Sequence, residues 1–237
     1  MTVVRFALVV LVALIISVPA GMPSQAEAVL IGSQGTAASP GADGGVESNA
    51  PTTQAPGTGG VVVLPAGPLP GVTLPIAPNP LWVAPEPGTT YVSHAANSGT
   101  TNLTVPNGTV IDFRENFTLP AGTFSGTLLV HADDSTSVFI DGVLRQAEAS
   151  SIANGYTVCS DFTIGCLAVT QGSFAVTLGG GAHQFDFLTA QRANQTFGVD
   201  YAANLTAAVP EPGTILLLGS GLIGLGAALR RRAARKD

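Results

Sequence analysis

The chain has 237 residues, room for one ordinary domain with extensions. Only 10% of it is charged and the net charge is −6. Between Val29 and Ala208 three arginines stand against twelve acids with no lysine, a balance that repels phosphates and excludes nucleic acid as a partner.

The amino end reads as an export signal over residues 1–28. Arg5 supplies a positive start, Phe6–Val18 (FALVVLVALIISV) is a 13-residue apolar core, and Pro19 breaks it. Ala26-Glu27-Ala28 is a small-x-small cleavage site, with Ala20 a second place to cut. Thirteen apolar residues are too few to span a bilayer comfortably.

Residues 29–60 are dominated by Gly, Ala, Ser, Thr and Pro and read as a disordered linker, because so little apolar surface cannot offset the entropy of ordering. Residues 61–80 set apolar residues between prolines, which rules out helix and central strand and leaves an extended segment lying along a surface, with Trp82 as its docking point.

From residue 81 to 208 the texture changes to short alternating runs. Strands are expected at TVIDF (109–113), SGTLLVHA (125–132), SVFI (137–140), VLRQ (143–146), CLAVT (166–170), SFAVTL (173–178), HQFDFLTA (183–190) and FGVDYAANLTA (197–207). Asp141-Gly142 predicts a type I′ hairpin turn, and Gly179-Gly180-Gly181 a chain turn. Phe185 and Phe187, two apart, fall on one face. So many short strands predict a mainly β, antiparallel sandwich. Cys159 and Cys166 form the available cysteine pair, and in an exported chain they predict a disulfide closing an eight-residue loop, worth roughly 2.5 kcal/mol.

The order FTLPAGTFSG, TLLVHADDSTSVFIDGVLR, HQFDFLTAQR and FGVDYAANL resembles the jelly-roll sandwiches of bacterial and fungal surfaces, the fibro-slime and galactose-binding-like domains among them. Asp133-Asp134, Asp141-Gly142 and Gly181-Ala182-His183 occupy the positions that carry the likeness. An immunoglobulin-like sandwich is the other arrangement open to these strands.

The pentapeptide PEPGT occurs twice, at Pro85–Thr89 and Pro210–Thr214. The first is followed by half-polar, strand-like sequence. The second precedes a 15-residue apolar run, Ile215–Leu229, and then Arg230, Arg231, Arg232, Arg235 and Lys236. That run would reach about 23 Å as a helix, short of a ~30 Å bilayer core, and snorkelling arginines would make up the difference. The cations favour a cytoplasmic end, so the passenger lies outside, in agreement with the export signal. Proline–acid–proline, a short apolar helix and an arginine cluster in that order resemble the PEP-CTERM sorting signal of Gram-negative bacteria that build exopolysaccharide. The resemblance implies that Pro210, Glu211 and Pro212 are recognised by exosortase, a membrane-embedded cysteine transpeptidase that removes the tail.

Evidence for chemistry is thinner. His94, His131 and His183 form no ligand motif, and Gly-x-Ser-x-Gly and Walker patterns are absent. GSGLIG (219–224) fits a dinucleotide pattern, but it sits inside the apolar tail without a βαβ context. Asp112, Glu115, Asp133, Asp134, Asp186 and Asp200 supply acids without a spacing that singles out a pair. Asp133, Asp134 and Asp141 are weak calcium candidates, and no other cofactor is implied. For sugar binding the candidates are the rings of Trp82, Tyr91, Tyr156 and Tyr201, with Arg145, Arg192 and Asn194 for hydroxyls. The sequence therefore points to a non-enzymatic surface or matrix protein, with a carbohydrate-binding module acting on exopolysaccharide as the alternative.

Overall fold

The computed structural model describes residues 28–35, 46–52, 70–100, 108–147, 166–191, 196–208, 219–226 and 231. They belong to two units. Glu27–Ala208 holds the ten strands found among the described residues; the other comprises Met1–Ala26 and Val209–Asp237, where the described part is an exposed helix over 219–226 and Arg231. No helix among the described residues is long and apolar enough to cross a membrane.

The strands are β1 (Ala28–Gly32), β2 (Val46–Thr52), β3 (Gly71–Val72), β4 (Leu74–Pro75), β5 (Val92–Ser93), β6 (Val110–Asp133), β7 (Ser135–Ile140), β8 (Val143–Gln146), β9 (Gly172–Ala190) and β10 (Gly198–Ala207). All pairings are antiparallel. The frame is a ribbon of two long strands, β6 and β9, paired from Val110↔Ala190 to Val130↔Gly172 with a register break between Leu119 and Thr123. The first half of β6 also pairs with β2, and its second half with β10. β7 and β8 extend the sheet from the second half of β9, while β1 and β5 extend it from β10.

This ribbon folds over on itself. Phe187 pairs with Phe113 early in β6, whereas Tyr201 pairs with Val130, seventeen positions further on. In a straight strand those positions stand about 56 Å apart at 3.3 Å per residue. Yet the Phe187 and Tyr201 rings stack at 4.4 Å. The two halves therefore face each other as layers, with Phe113, Phe117, Leu119, Phe185 and Phe187 on one side and Phe124, Leu128, Val130, Tyr201 and Leu205 on the other. The bend lies at Pro120–Gly122 opposite Gly179–Gly181, and a Cβ on Gly180 would fall 2.4 Å from the Pro120 carbonyl oxygen, a contact only glycine permits.

The mainly β, antiparallel expectation holds, and Phe185 and Phe187 share the buried inner face. The Asp141-Gly142 turn also holds, with positive φ of 51° and 73°. Four expectations need correction. TVIDF and SGTLLVHA are halves of one strand, and so are SFAVTL and HQFDFLTA; the glycine triplet bends a continuous strand instead of reversing it. CLAVT is not a strand: Ala168–Thr170 is a 3₁₀ turn, closed by Thr170 Oγ1 bonding both the amide and the carbonyl of Leu167.

The disordered linker over 29–60 contains two strands of the sheet. β1 buries Val29 and Ile31 against β10, an alternation hidden by the polar composition that follows it. β2 (VESNAPT) is held through the β6 register and through polar side chains, Glu47 above all, and a test for apolar content cannot see that kind of burial. Residues 36–45 and 53–60 lie outside the described residues. Nor does the sandwich begin at residue 81, since β3 and β4 of the proline-rich segment already pair with β2 and β5.

Candidate functional site

The first PEPGT forms a turn that brings a carboxylate to a sheet. The Thr89 amide donates to the Glu86 carbonyl at 3.0 Å, Pro87 takes the second position and Gly88 the third with φ +86°, the pattern of a type II turn. Glu86 Oε1 then accepts from Gln171 Nε2 at 2.5 Å and lies 3.2 Å from His131 Nε2. The turn is fixed at a second point by Asp200, which pairs with His131 across β10 and β6. Asp200 accepts from the Glu86 amide (2.9 Å), Thr89 Oγ1 (2.5 Å) and Ser33 Oγ (3.0 Å). Burial pushes the Asp200 carboxyl above its ordinary range against the pull of these donors.

A second cluster links β6 and β9. Asp112 and Arg114, two apart, share a face, and the register sets Arg114 opposite Asp186. Arg114 Nε donates to Asp186 at 2.5 Å and Nη2 to Asp112 at 3.1 Å, all three being buried. One guanidinium cannot neutralise two carboxylates. Burial, reinforced by the neighbouring Asp186, raises Asp112 to about 7 despite Arg114, and burial raises Asp186 as well. Among the described residues Asp112 Oδ1 has no hydrogen-bond partner.

The third cluster lies between the layers. Glu47 on β2 pairs with Glu115 on β6, and the Tyr201 hydroxyl from β10 lies 2.7 Å from Glu47 Oε1 and 2.8 Å from Glu115 Oε2. Thr73 Oγ1 and the Gln34 amide also donate to Glu47. Burial raises Glu47 to about 7; burial and the two carboxylates push the Tyr201 phenol well up.

The nominated sugar-binding rings do not form a platform. Trp82, Tyr91 and Tyr201 are buried, because large rings are the best fillers of a small β core. Trp82 packs against Tyr91 with centroids 4.8 Å apart and donates Nε1–H to Asp133 at 3.0 Å, so its ring is a core ring and does not face a ligand. No aromatic ring among the described residues is exposed. Arg145 is exposed on β8, while Tyr156, Arg192 and Asn194 lie outside the described residues.

The calcium candidates are not assembled either. Asp133 and Asp134 precede β7 and Asp141 follows it, so six extended residues hold them roughly 20 Å apart. Asp133 accepts from Trp82 and Thr196, and Asp141 faces His183 and accepts from the Gln184 amide. Cys166 is buried, and Cys159 lies outside the described residues, as do Pro210, Glu211, Pro212, Arg230, Arg232, Arg235 and Lys236.

Glu47, Glu86 and Gln171 were not singled out by sequence reading. Glu86 lies in the first PEPGT, which lacks the apolar run and arginines of the second, and Glu47 lies in the expected linker. The one signal available for Glu86 was local: Pro-Gly in the middle of PEPGT prescribes a type II turn.

Residues 208–232 match a family model described as the PEP-CTERM protein-sorting motif. No curated protein matches the chain. Among solved structures, a native family 35 carbohydrate-binding module from Clostridium thermocellum is similar at 13% identity and a TM-score of 0.33, covering 76% of this chain and 98% of that one.

Proposed function

We propose that this chain is an exported, non-enzymatic protein of the cell surface or extracellular matrix, delivered through its PEP-CTERM motif. The match at 208–232, directly after β10 ends at Ala207, carries this reading. In it the signal at 1–28 exports the chain and the strand unit, read as a jelly roll, is the passenger. The apolar run 215–229 with its arginine cluster holds the chain at the inner membrane until an exosortase-type transpeptidase acts at Pro210–Pro212. Fractionation tests it: the passenger should reach the surface or matrix shortened at its carboxyl side. Full-length chain found in the cytosol with both ends uncut would overturn the proposal.

A second reading, contact with exopolysaccharide, is favoured by one surface. On the outer face of the β10–β6–β9 layer, Thr206–Ser125–Thr177 and Asn204–Thr127–Ala175 form two cross-strand rows, all exposed and all uncharged. Neighbouring strands set these side chains about 4.8 Å apart, and the rows repeat at about 7 Å. Hydroxyls and an amide at that spacing suit a neutral, hydroxyl-rich polymer better than a charged one. Retention of the exported protein on a neutral polysaccharide, lost in Thr127→Lys and unaffected by moderate salt, would support this contact. Equal retention of wild type and variant would exclude this face.

A further inference from the structure

β9 has a strand on both sides only along its second half. Phe185–Ala190 lie between β6 and β7, whereas Gly172–Leu178 pair with Val130–Phe124 of β6 on one side and, among the described residues, with no strand on the other. Half the amides and carbonyls of that stretch therefore point to an open edge, a template on which another strand can pair. Proteins ordinarily blunt such an edge with charge, proline or brevity. The other outer strands are blunted in these ways. β8 is four residues long and carries Arg145, β3, β4 and β5 have two residues each, and β2 contains Glu47 and Pro51. At the end of β1 the Ser33 carbonyl already accepts from the Thr90 amide. GSFAVTL (172–178) has none of these devices. It carries no charge, and it alternates exposed Ser173, Ala175 and Thr177 with half-buried Phe174 and buried Val176 and Leu178.

We infer that this edge pairs with the same edge of a second copy of the chain, so that the β10–β6–β9 layer continues as one sheet across a two-fold axis. The strand is self-complementary in antiparallel register. With the axis at Ala175, Gly172 meets Leu178 and the whole stretch overlaps, while Ser173 meets Thr177 and Phe174 meets Val176. Hydroxyls then lie beside hydroxyls on the outer face, and apolar groups beside apolar groups on the inner one. A slip of one residue would set Ser173 against Val176 and mix the two faces, so the alternation specifies the register. The seam brings no charges together, although the chain as a whole carries −6, and half-buried Phe174 gains a cover. The inference rests on the strand unit alone and does not depend on how the sorting motif is processed.

Sedimentation of the full chain in non-ionic detergent tests the pairing. Wild type should run as two copies at high concentration and as one on dilution. Ala175→Lys sets like charges opposite each other at the axis and should hold the protein at one copy throughout, with its thermal midpoint unchanged because the position is exposed. Thr206→Lys adds the same charge to the same face two strands away, on β10, and should pair as wild type does. Wild type that stays a single copy at every concentration would overturn the inference. So would an Ala175→Lys variant that pairs like wild type, since association would then lie elsewhere in the chain. Mild oxidation reads the register. Ala175→Cys should link copy to copy, because facing Cβ atoms stand about 5 Å apart. Ser173→Cys faces Thr177 and stands roughly 13 Å from its own counterpart, so it should link no more than wild type, with Cys159 and Cys166, does. Equal linking by the two cysteine variants would overturn the pairing.

Discussion

In the first PEPGT, the Pro-Gly pair closes a type II turn, Glu86 reaches His131 and Gln171, and the turn is fixed to β10 through Asp200. In the second, the same five letters open a 25-residue sorting motif and are followed by apolar residues and arginines. Proline blocks helix and Pro-Gly favours a turn, and in the first copy that turn is formed. What the carboxylate meets differs. Glu86 meets a sheet with donors in place; Glu211 belongs to a segment whose sequence context is an address. Identical letters therefore form a turn in one region and fall within the match to a sorting motif in the other, and the neighbouring residues make the difference.

The widest separation between the two regions should come from Pro210→Ala/Glu211→Ala/Pro212→Ala. Carboxyl-side processing should be lost entirely, as read by the mass of surface-extracted protein, while the thermal midpoint of the strand unit stays unchanged. A processed product from this variant would break the comparison. Next in size is Arg114→Met, which strands Asp112 and Asp186 in the sheet without a counter-charge. It should cost about 3–5 kcal/mol in urea unfolding and leave the sorting motif intact. Glu86→Ala should cost about 1–3 kcal/mol by removing the carboxylate that Gln171 and His131 both meet, with processing undisturbed. If Glu86→Ala and Glu211→Ala impaired processing equally, the two copies would have to share one role.

The pH dependence sharpens the contrast, because it belongs to the strand unit. Glu47 and Asp112 are held near 7, and Asp186 and Asp200 are also raised. A carboxyl raised on folding binds its proton more tightly in the folded state. Its contribution is complete below the ordinary carboxyl range and is lost as pH rises through about 7. The unfolding free energy from urea titration should therefore fall between pH 5 and pH 8, by up to about 5 kcal/mol for Glu47 and Asp112 together; a rising value would contradict the burial of these groups. Smallest is Gly88→Ala, costing about 1 kcal/mol, since φ of +86° disfavours a side chain and the new Cβ would meet Leu30 at 2.8 Å.

Much of the strand pattern was legible because alternation is a local property. β8 matched to the residue, the Asp141-Gly142 turn had the backbone it demands, and Phe185 and Phe187 point inward as a period of two requires. The joining of strands was not legible. FTLPAGT and GGGAH carry turn residues, and whether glycines reverse a strand or bend it depends on what lies opposite them, here each other. The buried clusters were hidden for a related reason. Asp112 and Arg114 lie two apart in sequence, but Asp186 joins Arg114 only through a register 72 residues away, and Glu47 meets Glu115 through the β2–β6 register and Tyr201 across the layers.

The linear order of residues by itself determined the sorting motif, the alternating strands and the hairpin turn, because each is written in residues within one or two dozen positions of one another. The folded layers alone decided that Trp82, Tyr91 and Tyr201 are core rings and that β1 and β2 belong to the sheet. They alone brought two glutamates to one phenol. Burial and hydrogen-bond partnership depend on distance in space, and a bent 24-residue strand places in contact residues that no reading along the chain sets side by side.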